Sequence, residues 1–201
     1  MRSMRRRFVT GALAAVAVGG LLVGCTSEPD APEPTPTGTQ GGDVEVIEPL
    51  DSIAGATVTE IAGISLAVPE GFAGEPVEVD NGITQLALTR DGAERAEAYL
   101  TVTVMDGLTD GDVEAASQLS ATQLAGALED MTRSRATWEG FGPAFVVRGT
   151  LVLDSGNRDV VLVTTRDERG SRIVGASAEA PEGELEDSVG FEVLRTVRAA
   201  G

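Results

Sequence analysis

The stretch FVVRGTLVLDSGNRDVVLVTTRDERGSRIVGASA, residues 145–178, contains three apolar, β-branched runs separated by two polar turns. The runs are residues 145–153, 160–165 and 172–178, and the turns are residues 154–157 and 167–170. Runs of this length, bounded by turn residues, are typical of β-strands. Because short turns join successive strands, we predict that these strands pair in an antiparallel manner.

Further strand signals precede this stretch. Asn81-Gly82 separates two strand-like runs, and both residues tolerate the positive φ that a tight hairpin requires. Ala62-Gly63 separates another pair of runs, and Pro69-Glu70-Gly71 ends the second of them. The predicted strands are residues 58–61, 64–68, 77–79, 83–88 and 99–104.

Two helices are expected between the strands. The first covers Asp112 to Met131, with Asp110 or Asp112 as its N-cap and Arg133 and Arg135 beyond its C-terminus. Its predicted buried face consists of Val113, Ala116, Ser120, Leu124, Ala127, Leu128 and Met131. The second covers Glu184 to about Arg195 and buries Leu185, Val189 and Val193 or Leu194.

Together these elements predict a single α+β domain over residues 44–201. Its centre is a mostly antiparallel sheet flanked by helices. A signal peptide and a disordered tether precede it in the sequence.

The composition excludes many kinds of active site. The 201 residues include no His, no Lys and one Cys, so all fifteen basic residues are Arg. Catalysis by His, a Lys Schiff base, an internal disulfide and a zinc cluster are therefore ruled out. We expect no catalytic residue, no metal and no cofactor, although catalysis by carboxylates alone stays open.

The charges are unevenly distributed. Residues 1–24 contain four Arg and no acid, whereas the chain from Cys25 onward has eleven Arg and all 32 acids, a formal charge of −21. Because such a chain is repelled by phosphate groups, we expect no nucleic acid partner.

The N-terminus has the features of a lipoprotein signal peptide, residues 1–24. A basic start, Met1–Arg7, precedes an apolar run of about 16 residues that is short for a membrane span. The run ends in Leu22-Val23-Gly24-Cys25, which resembles the bacterial lipobox. Small residues before the Cys give the signal peptidase access to the backbone, and the thiol is the nucleophile that can receive diacylglycerol.

That resemblance implies a mature chain beginning at Cys25, with acyl chains such as palmitate on its sulfur and its amino group. Two or more acyl chains anchor a protein firmly. We therefore expect the protein at the outer face of the cell membrane. Arg5-Arg6-Arg7-Phe8-Val9 is similar to a twin-arginine export motif, and both this route and the general secretory route stay open.

Residues 25–43 comprise the acylated Cys and a linker that is rich in Pro, Thr and Gly. With no large apolar residue, it cannot bury enough surface to offset the entropy of ordering, so we predict disorder. Extended at ~3.1 Å per residue, it would hold the domain roughly 50 Å from the membrane. O-glycosylation of its Thr residues is an open alternative role.

Few residues suggest a ligand site. Asp106, Asp110 and Asp112 lack the spacing of a calcium loop and are interpreted as a polar turn with a helix cap. The aromatic residues Trp138, Phe141 and Phe145 are interpreted as core packing, or alternatively as the lip of a pocket or a partner surface.

The order of elements in residues 61–198 resembles the actinobacterial LpqN/LpqT-type surface lipoproteins. The matching pieces are Ile64–Phe72, Tyr99–Val104, the helix from Asp112, Gly140–Thr150 and Leu194–Val197. This resemblance implies a Mog1/PsbP-like domain and no catalytic residues.

We therefore expect a non-catalytic binding or adaptor domain at the cell envelope, whose partner is an unidentified envelope protein or lipid. One alternative is a carrier of a lipid or small apolar ligand. Another is a carboxylate-dependent cell-wall hydrolase, which would require two acids in one cleft.

Overall fold

The computed structural model describes residues 44–80, 82–90, 99–107, 112–169 and 171–200. The signal peptide, the lipobox with Cys25, the tether, Asn81 and Asp110 therefore lie outside the described residues. In chain order the elements are β1 (Glu45–Ile47), β2 (Thr57–Ile61), β3 (Ile64–Val68), β4 (Phe72–Ala73), β5 (Val77–Asp80), β6 (Ile83–Arg90), β7 (Leu100–Asp106), α1 (Asp112–Leu124), β8 (Leu128–Trp138), β9 (Ala144–Leu151), β10 (Arg158–Arg166), β11 (Arg172–Pro181), α2 (Val189–Arg195) and β12 (Arg198–Ala199).

A nine-stranded sheet forms the centre of the fold. Its strand order is β1-β8-β9-β10-β11-β7-β6-β4, and β5 also pairs with β6. The hairpins β8–β9, β9–β10 and β10–β11 explain the middle of this order, because short turns place successive strands side by side. All pairs in it are antiparallel except β1 with β8, which is parallel. The predicted α+β class with a mostly antiparallel sheet is confirmed.

A second sheet contains three strands in the order β12-β3-β2. The predicted turn between β2 and β3 is confirmed, since Ala62 and Gly63 have φ of 45° and 77°. Both residues thus adopt the left-handed conformation that a two-residue hairpin turn requires.

Side chains pack on both faces of the large sheet. On one face, α2 and the small sheet cover the main core. On the other face, α1 packs on β9 and β10, where Met105, Val113, Phe145 and Ile173 form a smaller apolar cluster. Members of the main core include Leu66, Leu88, Val102, Val146, Phe191 and Leu194.

The prediction for the first helix is wrong beyond Leu124. Residues 125–127 form a turn, and the chain then continues as β8 rather than as helix to Met131. Gly126 in this turn disfavours helix. Asp130 has a φ of 49° at a register shift between β8 and β9, and this irregularity interrupts the alternation of buried and exposed residues that is typical of a strand. Arg133 and Arg135 consequently lie on a strand and not beyond a helix end.

The second helix is shorter than predicted. It begins at Val189, because the hydroxyl of Ser188 accepts a hydrogen bond from the Phe191 amide at 3.2 Å and caps the helix there. Leu185 is buried in the preceding turn, and Val193 and Leu194 are buried as expected, whereas Val189 is half-buried. The short strands β1, β4 and β12 were also not predicted, as no strand of two or three residues shows a periodicity.

No helix among the described residues has the length and the apolar character needed to span a membrane.

Candidate functional site

The three aromatic residues singled out from the sequence lie on both faces of the large sheet. Trp138 and Phe141 are in contact in the main core, with ring centroids 4.8 Å apart. Phe145 lies on the other face, under α1, with the Arg133 guanidinium 4.5 Å from its ring centroid. The structure thus brings Trp138 and Phe141 together and places Phe145 apart from them.

Trp138 and Phe141 border a surface pocket of about 450 Å³. It lies where the parallel strands β1 and β8 end, at one edge of the large sheet. The lining residues are Val46, Ile47, Pro49, Ala136, Thr137, Trp138, Glu139, Phe141, Gly142 and Pro143. A mostly apolar lining with few polar groups is typical of a binding pocket.

One side of the pocket comes from the edge strand β1. Val46 is 65% exposed and the preceding Val44 is 55% exposed, whereas Ile47 is 4% exposed and belongs to the main core. This alternation buries Ile47 under the pocket and leaves the two valines on the surface. The pocket therefore continues into an exposed apolar strip along the edge of the sheet.

An ion-pair cluster holds β1 against the sheet. The Arg148 guanidinium donates to Glu45 Oε1 through Nε and Nη2, at 3.1 and 2.7 Å, and to Glu186 Oε1 through Nη1 at 2.9 Å. It also lies 5.6 Å from the Phe191 ring centroid. Burial opposes the charge of Arg148, but the hydrogen bonds and charges of Glu45 and Glu186 outweigh it and raise the pKa of Arg148. One side chain thus links β1, β9 and the turn before α2.

Glu139 is the only ionisable residue in the lining of this pocket. Hydrolysis of a glycoside by a carboxylate pair requires two acids about 5–10 Å apart. Elsewhere, burial raises the pKa of Glu179, and the charge of Arg158, 3.4 Å away, partly offsets this. The neighbour of that carboxylate is therefore a cation rather than a second acid.

The acidic turn before α1 is only partly described. The Asp106 carboxylate accepts a hydrogen bond from Arg172 Nε at 2.9 Å, while Asp112 begins α1. Over the described ranges, no three His, Cys, Asp or Glu side chains are grouped in a way that could bind a metal ion.

Several residues of the pocket are missing from the sequence-based predictions, which omit Val46, Pro49 and Thr137. Val44-Glu45-Val46-Ile47 directly follows the linker, but it is too short for its alternation to predict a strand. Its pairing with β8 could not be predicted, since Ala136–Trp138, which pair with β1, were not assigned to a strand.

The sequence matches no protein-family model and no curated protein. Solved structures of similar fold include a protein from Bacteroides thetaiotaomicron, with 12% identity and a TM-score of 0.46. They also include LpqN, involved in cell envelope biogenesis of Mycobacterium tuberculosis (18% identity, TM-score 0.40), and the Ran-binding protein Mog1p of Saccharomyces cerevisiae (15% identity, TM-score 0.42).

The match with the Bacteroides protein covers 76% of this chain, the match with LpqN covers 73% and the match with Mog1p covers 72%. They span 50% of the Bacteroides protein, 91% of LpqN and 95% of Mog1p. The chain thus spans half the length of the Bacteroides protein. At these identities the likeness concerns the arrangement of strands and helices.

Proposed function

We propose that this chain is a lipid-anchored protein of the outer face of the cell membrane, and that its folded part is a non-catalytic binding domain. The pocket between β1 and β8 is its candidate binding site. The observation on which the binding role depends is the apolar lining of this pocket, with Glu139 as its single ionisable group.

The sequence before residue 44 supports the anchor. A basic start, an apolar run and the lone Cys25 occur in the order that lipoprotein export requires. The Pro-rich linker then separates Cys25 from β1, the first described strand, so the pocket lies on the element nearest to the tether. A ligand or partner at the membrane surface would be within reach of such a tethered domain.

The anchor is tested by replacing Cys25 with Ala in a host that processes lipoproteins. We expect the unsubstituted protein in the membrane fraction, where it should be extracted only by detergent. The Cys25→Ala variant should be released from the membrane or retained as an unprocessed precursor. If the processed variant chain stayed with the membrane as firmly as the unsubstituted protein, the lipid anchor would be contradicted.

Binding is tested by photo-crosslinking in intact cells. A photoreactive amino acid at Thr137, an exposed residue of the pocket lining, should give crosslinked products. The same amino acid at Val152, which is 49% exposed and outside the pocket lining, serves as the control. Equal yields from both positions, or no product from either, would contradict a binding site at the pocket.

The volume and apolar lining of the pocket also favour a second candidate function, the carriage of a small apolar ligand. Native mass spectrometry of the protein extracted from membranes would then show a bound ligand of defined mass. Substitution of Val46 by Trp, which fills the pocket from β1, should remove that ligand. A protein that always appears at its own mass would exclude this candidate and leave the binding of a macromolecular partner.

A further inference from the structure

We infer that the pocket beside β1 binds a neutral fatty-acyl ester, whose carbonyl oxygen accepts a hydrogen bond from the indole N–H of Trp138. This inference rests on the proposed function and specifies the ligand class of the same pocket. It depends on three features of the described residues: an indole N–H without an acceptor, an apolar pocket that reaches the core, and the charges around that pocket.

The first feature is the indole of Trp138. This side chain is 2% exposed, and its nitrogen Nε1 is shielded from solvent. Among the described residues, no group accepts a hydrogen bond from this nitrogen. Buried N–H groups are nearly always hydrogen-bonded, because a donor without an acceptor loses its interaction with water and gains nothing in return. Trp138 therefore provides a donor for which a ligand could supply the acceptor.

The second feature is the position of this indole in the pocket wall. Ile47, Ala136, Trp138 and Phe141 belong to the main core and also line the pocket, which thus reaches the core side of the large sheet. In β8, Ala136 and Trp138 lie on the same face, because side chains alternate along a strand, and Ile47 pairs with Trp138 in the neighbouring strand. Since the nitrogen is shielded in the free protein, a ligand would meet the N–H after a small rotation of the ring toward the pocket.

The remaining lining suits an acyl chain. Val46, Pro49 and Pro143 add aliphatic surface, and the volume of about 450 Å³ lies within the range of roughly 300–1,000 Å³ that is typical of small-molecule sites. Because Val46 is 65% exposed, a chain longer than the pocket can extend onto the surface beside β1. The proposed anchor would hold this domain at a membrane, where acyl esters are the apolar molecules at hand.

The third feature is the charge at this edge, which favours a neutral ligand. Glu139 is exposed and lines the pocket, so it would repel a carboxylate or a phosphate. Positive charge lies nearby: Arg195 donates to the carbonyl oxygen of Glu48, and Arg198 donates to that of Leu50. Neither arginine is among the described residues that line the pocket, so neither offers an anion a partner there. A neutral carbonyl avoids the repulsion by Glu139 and needs only one donor.

The inference is tested on the mature chain, residues 25–201, with Cys25→Ala, so that neither its own acyl chains nor a detergent compete for the pocket. Three probes are compared by calorimetry. Methyl decanoate is a neutral ester, undecane lacks an acceptor, and decanoate is an anion. We expect methyl decanoate to bind at least about fivefold more tightly than either of the other two probes, because of the hydrogen bond and of its lack of charge.

The indole itself reports on the hydrogen bond. Trp138 is the only Trp of the chain, so its N–H gives a single indole signal in a ¹⁵N–¹H spectrum. Methyl decanoate should move the proton signal downfield, as a hydrogen bond does, and undecane should not. Trp138→Phe keeps an aromatic ring without the N–H, and methyl decanoate should bind this variant no more tightly than undecane does. Comparing both probes on one variant separates the hydrogen bond from changes in packing.

Two matched variants locate the binding. Val46→Phe narrows the pocket from β1, and Val58→Phe adds the same side chain to an exposed valine of β2 that is outside the pocket lining. We expect Val46→Phe to weaken binding of methyl decanoate about tenfold and Val58→Phe to change it less than about twofold. Both substitutions are at the surface, and equal thermal midpoints will show that both variants are folded.

The inference is overturned if methyl decanoate fails to bind, if it binds without moving the indole signal downfield, or if undecane or decanoate binds as tightly. Equal effects of the two Phe variants also overturn it. If Trp138→Phe does not fold, the indole signal of the chain with Trp138 decides. These outcomes differ from failure of the proposed function, which would appear as membrane retention without Cys25 or as no crosslinking from Thr137.

Discussion

At the scale of single residues, Arg148 explains how a three-residue parallel strand is held on the fold. Its guanidinium joins Glu45 of β1 to Glu186 in the turn before α2 and covers the Phe191 ring. Hydrogen bonds between charged groups that are partly withdrawn from water contribute more to stability than exposed ion pairs. This interaction could not be predicted from the sequence, because its three charged residues are far apart in the chain.

We expect Arg148→Ala to lower the free energy of unfolding by about 1–3 kcal/mol, through the loss of these hydrogen bonds and of the contact with Phe191. Urea unfolding followed by Trp138 fluorescence measures the change. Arg169→Ala, at an exposed turn position, is the control and should change stability by less than about 0.5 kcal/mol. Equal effects of the two substitutions would show that the cluster does not stabilise β1.

A second prediction at this scale concerns pH. Because burial raises the pKa of Glu179, the folded state binds this proton more tightly than the unfolded state. The contribution of this tighter proton binding to the free energy of unfolding is therefore fully present at acidic pH. It is lost as the pH rises through the raised pKa of Glu179 in the folded protein. Glu179→Gln removes this dependence on pH. The free energy of unfolding of the variant minus that of the unsubstituted protein should therefore be more positive at about pH 7 than at about pH 4. Urea unfolding at both pH values tests this, and a constant difference would contradict it.

At the scale of elements, the strands were more predictable than the helix ends. The strands from residues 145 to 178 are long, apolar and bounded by turn residues, so their pattern determines both their type and their antiparallel pairing. The end of α1 was missed because β8 has few apolar residues and a register shift near Asp130, which together obscure the alternation of a strand. The start of α2 depends on one hydrogen bond to Ser188, and the sequence alone offered several polar residues for that cap.

The strand β1 permits a matched test of its docking. Ile47 is 4% exposed and Val46 is 65% exposed, although the two residues are adjacent. We expect Ile47→Ala to lower the free energy of unfolding by about 2–4 kcal/mol, because it leaves a cavity in the main core. Val46→Ala should change it by less than about 0.5 kcal/mol. If both substitutions had the same small effect in urea unfolding, β1 would not be docked as described.

At the scale of the whole molecule, the sequence indicates the fold class and the anchor, whereas the candidate pocket depends on the three-dimensional structure. The fold class followed from strand patterns, and the proposed anchor follows from Cys25 and the residues before it. The candidate site could be predicted only in part, since Trp138 and Phe141 were noticed as aromatic residues without their neighbours from β1. Pockets formed by strands distant in sequence have no local pattern, and this one required the pairing of β1 with β8.

The net charge also acts at this scale. Eleven Arg against 32 acids from Cys25 onward repel other acidic surfaces at low ionic strength and attract cationic partners. Such long-range attraction affects the rate of association more than the final affinity. For a cationic partner we therefore expect the association rate to fall more with added salt than the dissociation rate rises, as surface plasmon resonance can measure.

The mass of the N-terminal peptide of the protein taken from membranes is a direct measure of anchoring through Cys25. We expect a chain that begins at Cys25 and has the added mass of a diacylglycerol group on that residue, with or without a further acyl chain. A membrane-bound protein that retains residues 1–24, or one in which Cys25 bears no lipid, would contradict it.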